Sequence, residues 1–593
     1  MTSPVHRGSA WLRLLAALLL APACGLTLQG CGAPASAGTR QTVPPGESQW
    51  LPPIATLHPP FVPTFHDEHI ALRIDVDPAG ETITGAASHT ITALATPLSR
   101  IQLDAGAELQ IRSCAIDGRP VPFVHQQESL VVKPVRPIPA GHSVTLHIAW
   151  TLTGGPANAG PNGTLGWKWV EPGLRSGVAA VGFWTQGETN GNHLWAPMVD
   201  HPNVKTTVDE IVTVPAGWAC IGNGSLVSDV SHRGAGTHTI HWQLKEPIAT
   251  YLISLAGGAM DEKHTEWHGI PLTYAVPAGQ GAALDASFGN TPDILSFYTG
   301  VLHVAFPWPK LAQTAVPGFN GGMENASAIT YGTSILSRPG AANYPSSYFT
   351  SHEIAHQWFG DLVTCKDWGD IWLNEGFATF MQLQYFRHAF GKAAFDGARE
   401  NDLRTVLAEA TRYERPLSCL TYRQRDMLFD SCSYQKGALV LDLLRRTMGD
   451  TRFWHAIRLY LTRYRFGNAN SRDFERAMAQ GGGMDLSTFF RQWVFLPGHP
   501  IISGEWTWNA ATGHVVVTAE QRTSIASGPA VWNVPLKIAV DTAGGKTAEF
   551  TETFDQDNQS WSLPVGAHPT AVRLDPDHIL PGEVEQPKEG AAG

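Results

Sequence analysis

Hydrophobic residues in this chain change their spacing twice. From about residue 60 to 260 they alternate with polar ones: Leu72, Ile74 and Val76 are interleaved with Arg73, Asp75 and Asp77, and Val144, Leu146 and Ile148 repeat the pattern. Period two puts one face of a strand in a core and the other in water, so this stretch predicts an antiparallel β domain over residues 61–260. From about 285 to 500 the spacing is helical, as in Gly437 to Met448 with Leu439, Val440, Leu443 and Leu444, and in Phe453 to Tyr464. Strand pattern returns after Pro500, in Val515-Val516-Val517 and Pro535 to Val540. Runs of strands, then helices, then strands predict a multidomain α+β chain. Its parts are an N-terminal antiparallel β domain, a mainly α domain over 261–500, a C-terminal β-sandwich over 501–580 and a Pro/Glu/Gly tail over 581–593.

Composition narrows the function classes. The 593 residues carry 41 Lys+Arg against 52 Asp+Glu, a net charge of −11, and 43% are hydrophobic. That apolar content excludes a disordered acidic chain, and the lack of basic excess argues against a nucleic-acid partner. At the N-terminus Arg7 and Arg13 precede a short apolar run beginning at Leu14, which reads as a secretory signal over residues 1–37. Two processing readings stand side by side: cleavage after Ala35-Ser36-Ala37, or a lipoprotein signal in which Cys31 of Leu28-Gln29-Gly30-Cys31 becomes a lipid anchor. Either implies export to the periplasm or cell envelope. Residues 38–60, rich in Pro, Ser and Gly, read as a linker. No later stretch has the length of a transmembrane helix. Five cysteines follow the leader, Cys114, Cys220, Cys365, Cys419 and Cys432, an odd number of which Cys419 and Cys432 are the nearest pair.

The chemistry lies in Ser351-His352-Glu353-Ile354-Ala355-His356, followed by Trp372-Leu373-Asn374-Glu375-Gly376. Histidines four apart on a helix point the same way and can share one cation. Neutral imidazole suits zinc, and a catalytic zinc takes three protein ligands and leaves a position open. Glu375, on a second helix after a turn containing Asp367 and Gly369, completes a His2Glu set. Glu353 then sits beside the metal as a base for water.

With these motifs the chain resembles the zinc aminopeptidases of the aminopeptidase N and leukotriene hydrolase type, a gluzincin family. Two further stretches carry the likeness: Gly321-Gly322-Met323-Glu324-Asn325 matches the family's G-x-M-E-N strand, and Tyr434-Gln435-Lys436-Gly437 its Y-x-K-G helix start. Thr185-Gln186-Gly187-Glu188 resembles the segment that places a Gln or Glu near the substrate amine. The resemblance implies a thermolysin-like catalytic domain, one zinc ion per chain held by His352, His356 and Glu375, and peptide substrates with a free N-terminus. It implies Glu353 as general base and Tyr434 as donor to the oxyanion. Glu324 becomes the main amine anchor with Glu188 second, Gly321, Gly322 and Met323 line the substrate strand, and Gln186 lies nearby. Lys436 reads as a solvated or structural residue.

Two alternatives are weighed. One branch of the family hydrolyses a lipid epoxide, and Asp426 stands eight residues before Tyr434 as an Asp does there. A nonenzymatic exported binding protein on a peptidase fold is the other, against which stands the complete set of base and ligands. The chain ends soon after the sandwich, so the large helical domain of many relatives is expected to be missing, which leaves a more open site for longer peptides.

Overall fold

Strand Phe65–Asp77 shows how the period-two segment is used. Ile70, Leu72 and Ile74 are fully buried while Arg73 and Asp75 face solvent. The strand sits at the centre of an eight-stranded sheet, and Leu72 lies opposite Ala87 on one side and Glu210 on the other. Its pairing with Lys205–Pro215 is parallel, so the domain is not purely antiparallel as its alternation implied. Alternation reports which face is buried and carries no information on the direction of the neighbour. This computed structural model describes residues 56–94, 96–156, 164–171, 180–341 and 346–590. The leader, with Cys31, and residues 38–55 of the linker lie outside the described residues.

A four-stranded sheet, Gly166–Val170, Gly182–Gln186, Ala256–Gly258 and Ala219–Ile221 in spatial order, carries the β domain toward the helices. Hydrogen bonds fasten it there, four of them close to the motifs. Trp184 donates to the Pro317 carbonyl (3.0 Å), Asn223 to that of Ala326 (2.7 Å) and Lys205 to that of Asp361 (2.8 Å), while Gly224 N–H reaches Ser327 Oγ (2.7 Å). Each acceptor flanks a segment that the motifs single out.

The mainly helical part opens with a mixed five-stranded sheet ordered Met260–Trp267, Ile270–Pro277, Leu311–Val316, Ala328–Gly332, Gly322–Met323. The short strand Gly322–Met323 is its edge. Helices follow, among them Ser347–His356, Trp372–Phe390, Gly437–Met448 and Asp450–Arg463. Phe359 and Phe377 stack with centroids 4.3 Å apart between the first two. Loss of such a buried ring costs about 3–5 kcal/mol.

Two sheets form the C-terminal sandwich, one built on Pro500–Asn509 and His514–Thr523 and the other on Val534–Thr542. Trp532 packs on Trp493 of the helical part at 4.5 Å. The stretch read as a tail is partly inside this sheet: Glu583–Val584 and Lys588–Glu589 pair with Pro500–Asn509. The end of the linker is likewise structural, since Thr56–Leu57 pairs with Thr421–Tyr422 and His58 stacks on Tyr422. All three are two-residue strands, too short to show a period. All five cysteines after the leader are buried free thiols, Cys419 and Cys432 included. Among the described residues no helix is long and apolar enough to cross a membrane.

Candidate metal and peptide site

Helix Ser347–His356 presents His352 and His356 on one face, and Trp372–Phe390 brings Glu375 against them. The connection is short and fully tied. Gly360 turns the chain at φ +125°, where a Cβ would lie 3.1 Å from His356 Nδ1. Strand Val363–Cys365 pairs with Gly467–Ala469, and Asp367 caps the next turn by accepting from Gly369 N–H at 3.1 Å. Asn374 Oδ1 then accepts from Cys365 N–H at 3.1 Å, fixing the start of the second helix.

The result is a triangle. His352 Nε2 and His356 Nε2 are 3.2 Å apart, and each is 3.3 Å from Glu375 Oε2. Ligands about 2.0–2.1 Å from a tetrahedral zinc stand roughly 3.3 Å from one another, so the three atoms fit that ion. The other ring nitrogens have acceptors: His356 Nδ1 donates to the Phe359 carbonyl (2.9 Å) and His352 Nδ1 to Gln382 Oε1 (3.2 Å). Both Nε2 lone pairs are thereby turned to the centre. Burial would raise Glu375, yet the two imidazoles outweigh it and hold its carboxyl at about 2. Burial would lower His356, yet Glu375 and Glu324 push it well above the ordinary imidazole range. The pocket's demand is for positive charge.

A cavity of about 270 Å³ opens beside the triangle, close to the lower end of small-ligand sites at about 300 Å³. Glu188, Gly321, Gly322, Glu324, Glu353, Tyr434 and the three ligand residues line it. Glu353 is buried, which holds its pKa well above the usual carboxylate range. A Cβ on Gly322 would fall 2.3 Å from Glu353 Oε1, so only glycine leaves that carboxylate its place. Glu324 follows the edge strand and is buried, and Gln357 Nε2 holds its carbonyl at 2.7 Å. Tyr434 lies in a π-helical turn, Cys432–Lys436, ahead of helix Gly437–Met448 and not in its first turn. Its ring is stacked over His352 at 5.9 Å. Gly376 and Gly437 set that distance: a Cβ on either would meet the other's Cα at about 3 Å. The glycines of both motifs thus serve one helix contact.

The profile of the peptidase M1 N-terminal domain matches residues 63–252, and that of the peptidase family M1 domain matches residues 286–493. The chain belongs to peptidase family M1. Glutamyl aminopeptidase of Homo sapiens is 25% identical over 557 residues, covering 88% of this chain and 56% of the relative. Aminopeptidase N of Lactobacillus helveticus is 27% identical over 508 residues, covering 81% and 56%. The crystal structure of Legionella pneumophila aminopeptidase A in complex with aspartic acid shares the fold, with a TM-score of 0.75 at 17% identity over 88% of this chain and 60% of that one. The chain spans little more than half the length of these M1 relatives.

Within the M1 frame most residues assigned to the site by sequence converge on the cavity, but two of those given a substrate-binding role do not line it. Met323 is buried because strand alternation sends its side chain opposite to Gly322. Gln186 ends a regular strand before the chain turns at Gly187 against the Tyr251 carbonyl, so only Glu188 reaches the cavity. Asp426, weighed for the epoxide reading, is also outside the lining. Lys436 is structural and not solvated: its buried Nζ donates to the Gly498 carbonyl at 2.9 Å. Sequence reasoning missed Tyr348, Thr379 and Gln382, which line the cavity. Their signal was helical spacing, four before His352 and four and seven after Glu375. It also missed Tyr251, whose hydroxyl donates to Glu324 Oε1 (3.4 Å) and accepts from Asn374 (3.1 Å). Nothing local in the sequence marks that residue.

Proposed function

We propose that this protein is a zinc-dependent aminopeptidase that hydrolyses the first peptide bond of peptides bearing a free N-terminus. The observation that carries the reading is a seat for a cation beside the ligand triangle. Carboxylate oxygens of Glu188, Glu324 and Glu375 lie within 4.8 Å of one another, and Glu188 Oε1 is buried without a hydrogen-bond partner. Burial and the neighbouring Glu324 raise Glu188 well above the ordinary carboxylate value. An α-ammonium brings three N–H donors and the positive charge that such a pair lacks. An internal peptide bond brings neither, which accounts for exopeptidase selectivity.

Zinc, when bound by His352, His356 and Glu375, supplies a Lewis acid that polarises the scissile carbonyl and acidifies water. The chain's own residues do the rest. Glu353 lines the cavity beside the ligand triangle and is placed to accept a proton from water and return it to the leaving amine. Burial and the surrounding carboxylates raise Tyr434 well above 10, so its hydroxyl stays protonated and can donate to the oxyanion. The edge strand at Gly322 offers its outer backbone groups to an extended peptide, with no side chain in the way. Asp426 gives the epoxide reading no support, being outside the cavity lining.

The proposal includes export. The leader is assigned to signal processing, with a lipid anchor at Cys31 or cleavage near Ala37, and mass spectrometry of the mature N-terminus separates the two. The decisive experiment on function is metal analysis of the purified protein with a panel of aminoacyl chromogenic substrates. Stoichiometric zinc with release of at least one amino acid is expected. Zinc without release from any substrate would sink the proposal, and so would equal cleavage of N-acetylated substrates.

A further inference from the structure

The two histidines of the triangle are held by different kinds of acceptor. His356 Nδ1 meets a main-chain carbonyl, Phe359 O, which cannot turn over. His352 Nδ1 meets a side-chain amide, Gln382 Oε1, at 3.2 Å. An amide has an accepting end and a donating end, and rotation by a half-turn exchanges them. With Oε1 toward the ring, Nδ1 carries the proton and the Nε2 lone pair is free for a cation. With the NH2 toward the ring, the proton moves to Nε2 and the lone pair is lost from the triangle.

The choice is made by a third residue. Tyr348, one turn before His352 on the same helix, lines the cavity together with Gln382 and is placed to engage the other end of its amide; burial raises the Tyr348 phenol, and its interaction with Gln382 draws it back down, the sign of an amide N–H directed at the phenol oxygen. Gln382 is buried, 3% exposed, so no bulk water competes for either end. Helical geometry makes the arrangement compact. Tyr348, His352 and His356 form a stripe at intervals of four, Glu375, Thr379 and Gln382 form the facing stripe, and the two run side by side.

We propose that Gln382 is a positioning residue for the metal site: held in one orientation by Tyr348, it sets the tautomer of His352 and so the strength with which the site binds zinc. The inference rests on the zinc reading above. It assigns a task to a neutral amide where a carboxylate would also accept from Nδ1, and a neutral acceptor adds no further negative charge to a cavity that already holds four carboxylates.

The test uses the full chain, stripped of metal and titrated with zinc against a chromophoric chelator, with thermal unfolding of the metal-free proteins alongside. Gln382→Met keeps the volume and removes the acceptor, and zinc affinity is expected to fall about 10–100-fold. Gln382→Glu restores the acceptor and should bind at least as tightly as wild type. Tyr348→Phe leaves the amide free to turn and should fall between the two. Metal-free melting should be alike in all four. Wild-type affinity in Gln382→Met would overturn the inference, as would equal weakening in Gln382→Met and Gln382→Glu. Failure of the wild type itself to bind zinc would instead remove the metal site on which the inference stands.

Discussion

The two halves of the candidate site are built on opposite principles. On the metal side, all three ligands come from two helices separated by a short tied connection, and the second nitrogen of each histidine is already engaged. On the amine side, Glu324 follows an edge strand of the catalytic part while Glu188 and Tyr251 arrive from the β domain. Its internal bonds are long, as at Tyr251 to Glu324, or absent, as at Glu188 Oε1. One half is preorganised by local structure. The other is assembled by domain docking and, under the proposed function, is completed by the charge of its ligand.

The comparison breaks first at the base. Glu353→Gln preserves size and leaves the triangle intact, so zinc content should be unchanged while kcat falls about 10²–10⁴-fold, read by parallel metal analysis and steady-state kinetics. Loss of zinc together with activity would mean that Glu353 belongs to the ligand set. Tyr434→Phe comes next. Removing one oxyanion donor costs about 10²–10³ in kcat, with KM little changed because the phenol contributes only as charge develops. A change confined to KM would reassign Tyr434 to substrate binding.

How much of this was readable follows the same division. The metal side was legible because helix periodicity converts a spacing of four into a shared face for His352 and His356, while Glu353 beside the first ligand and Glu375 in its Asn-Glu-Gly context stood out as motif residues. Thr379 and Gln382 lie on the same stripe and were open to the same argument. The β domain, helices and sandwich were legible from period, although the parallel pairing of Lys205–Pro215 with Phe65–Asp77 was not. Tyr251 was out of reach, since its place opposite Glu324 depends on contacts such as Asn223 to Ala326 that join segments about a hundred residues apart.

Glu324→Gln sharpens the amine side. A hydrogen bond to a charged group is worth about 1.5–3 kcal/mol, so kcat/KM for a free-amine substrate should fall roughly 10–100-fold, with less effect on an N-acetylated one. The ratio of the two substrates is the measurement. Equal losses on both would place the amine elsewhere in the cavity.

Tyr251→Phe tests whether domain docking contributes to recognition beyond holding the parts together. The hydroxyl donates to Glu324 and accepts from Asn374, which in turn anchors the helix of Glu375, so this one phenol touches both halves of the site. Its bond to Glu324 is at the long end of the range, and its loss should cost no more than a typical neutral hydrogen bond, about 0.5–1.5 kcal/mol. A severalfold rise in KM with kcat and zinc content unchanged is the expected outcome. If zinc content falls instead, the Asn374 contact is the one that matters, and the two halves are mechanically joined through Tyr251.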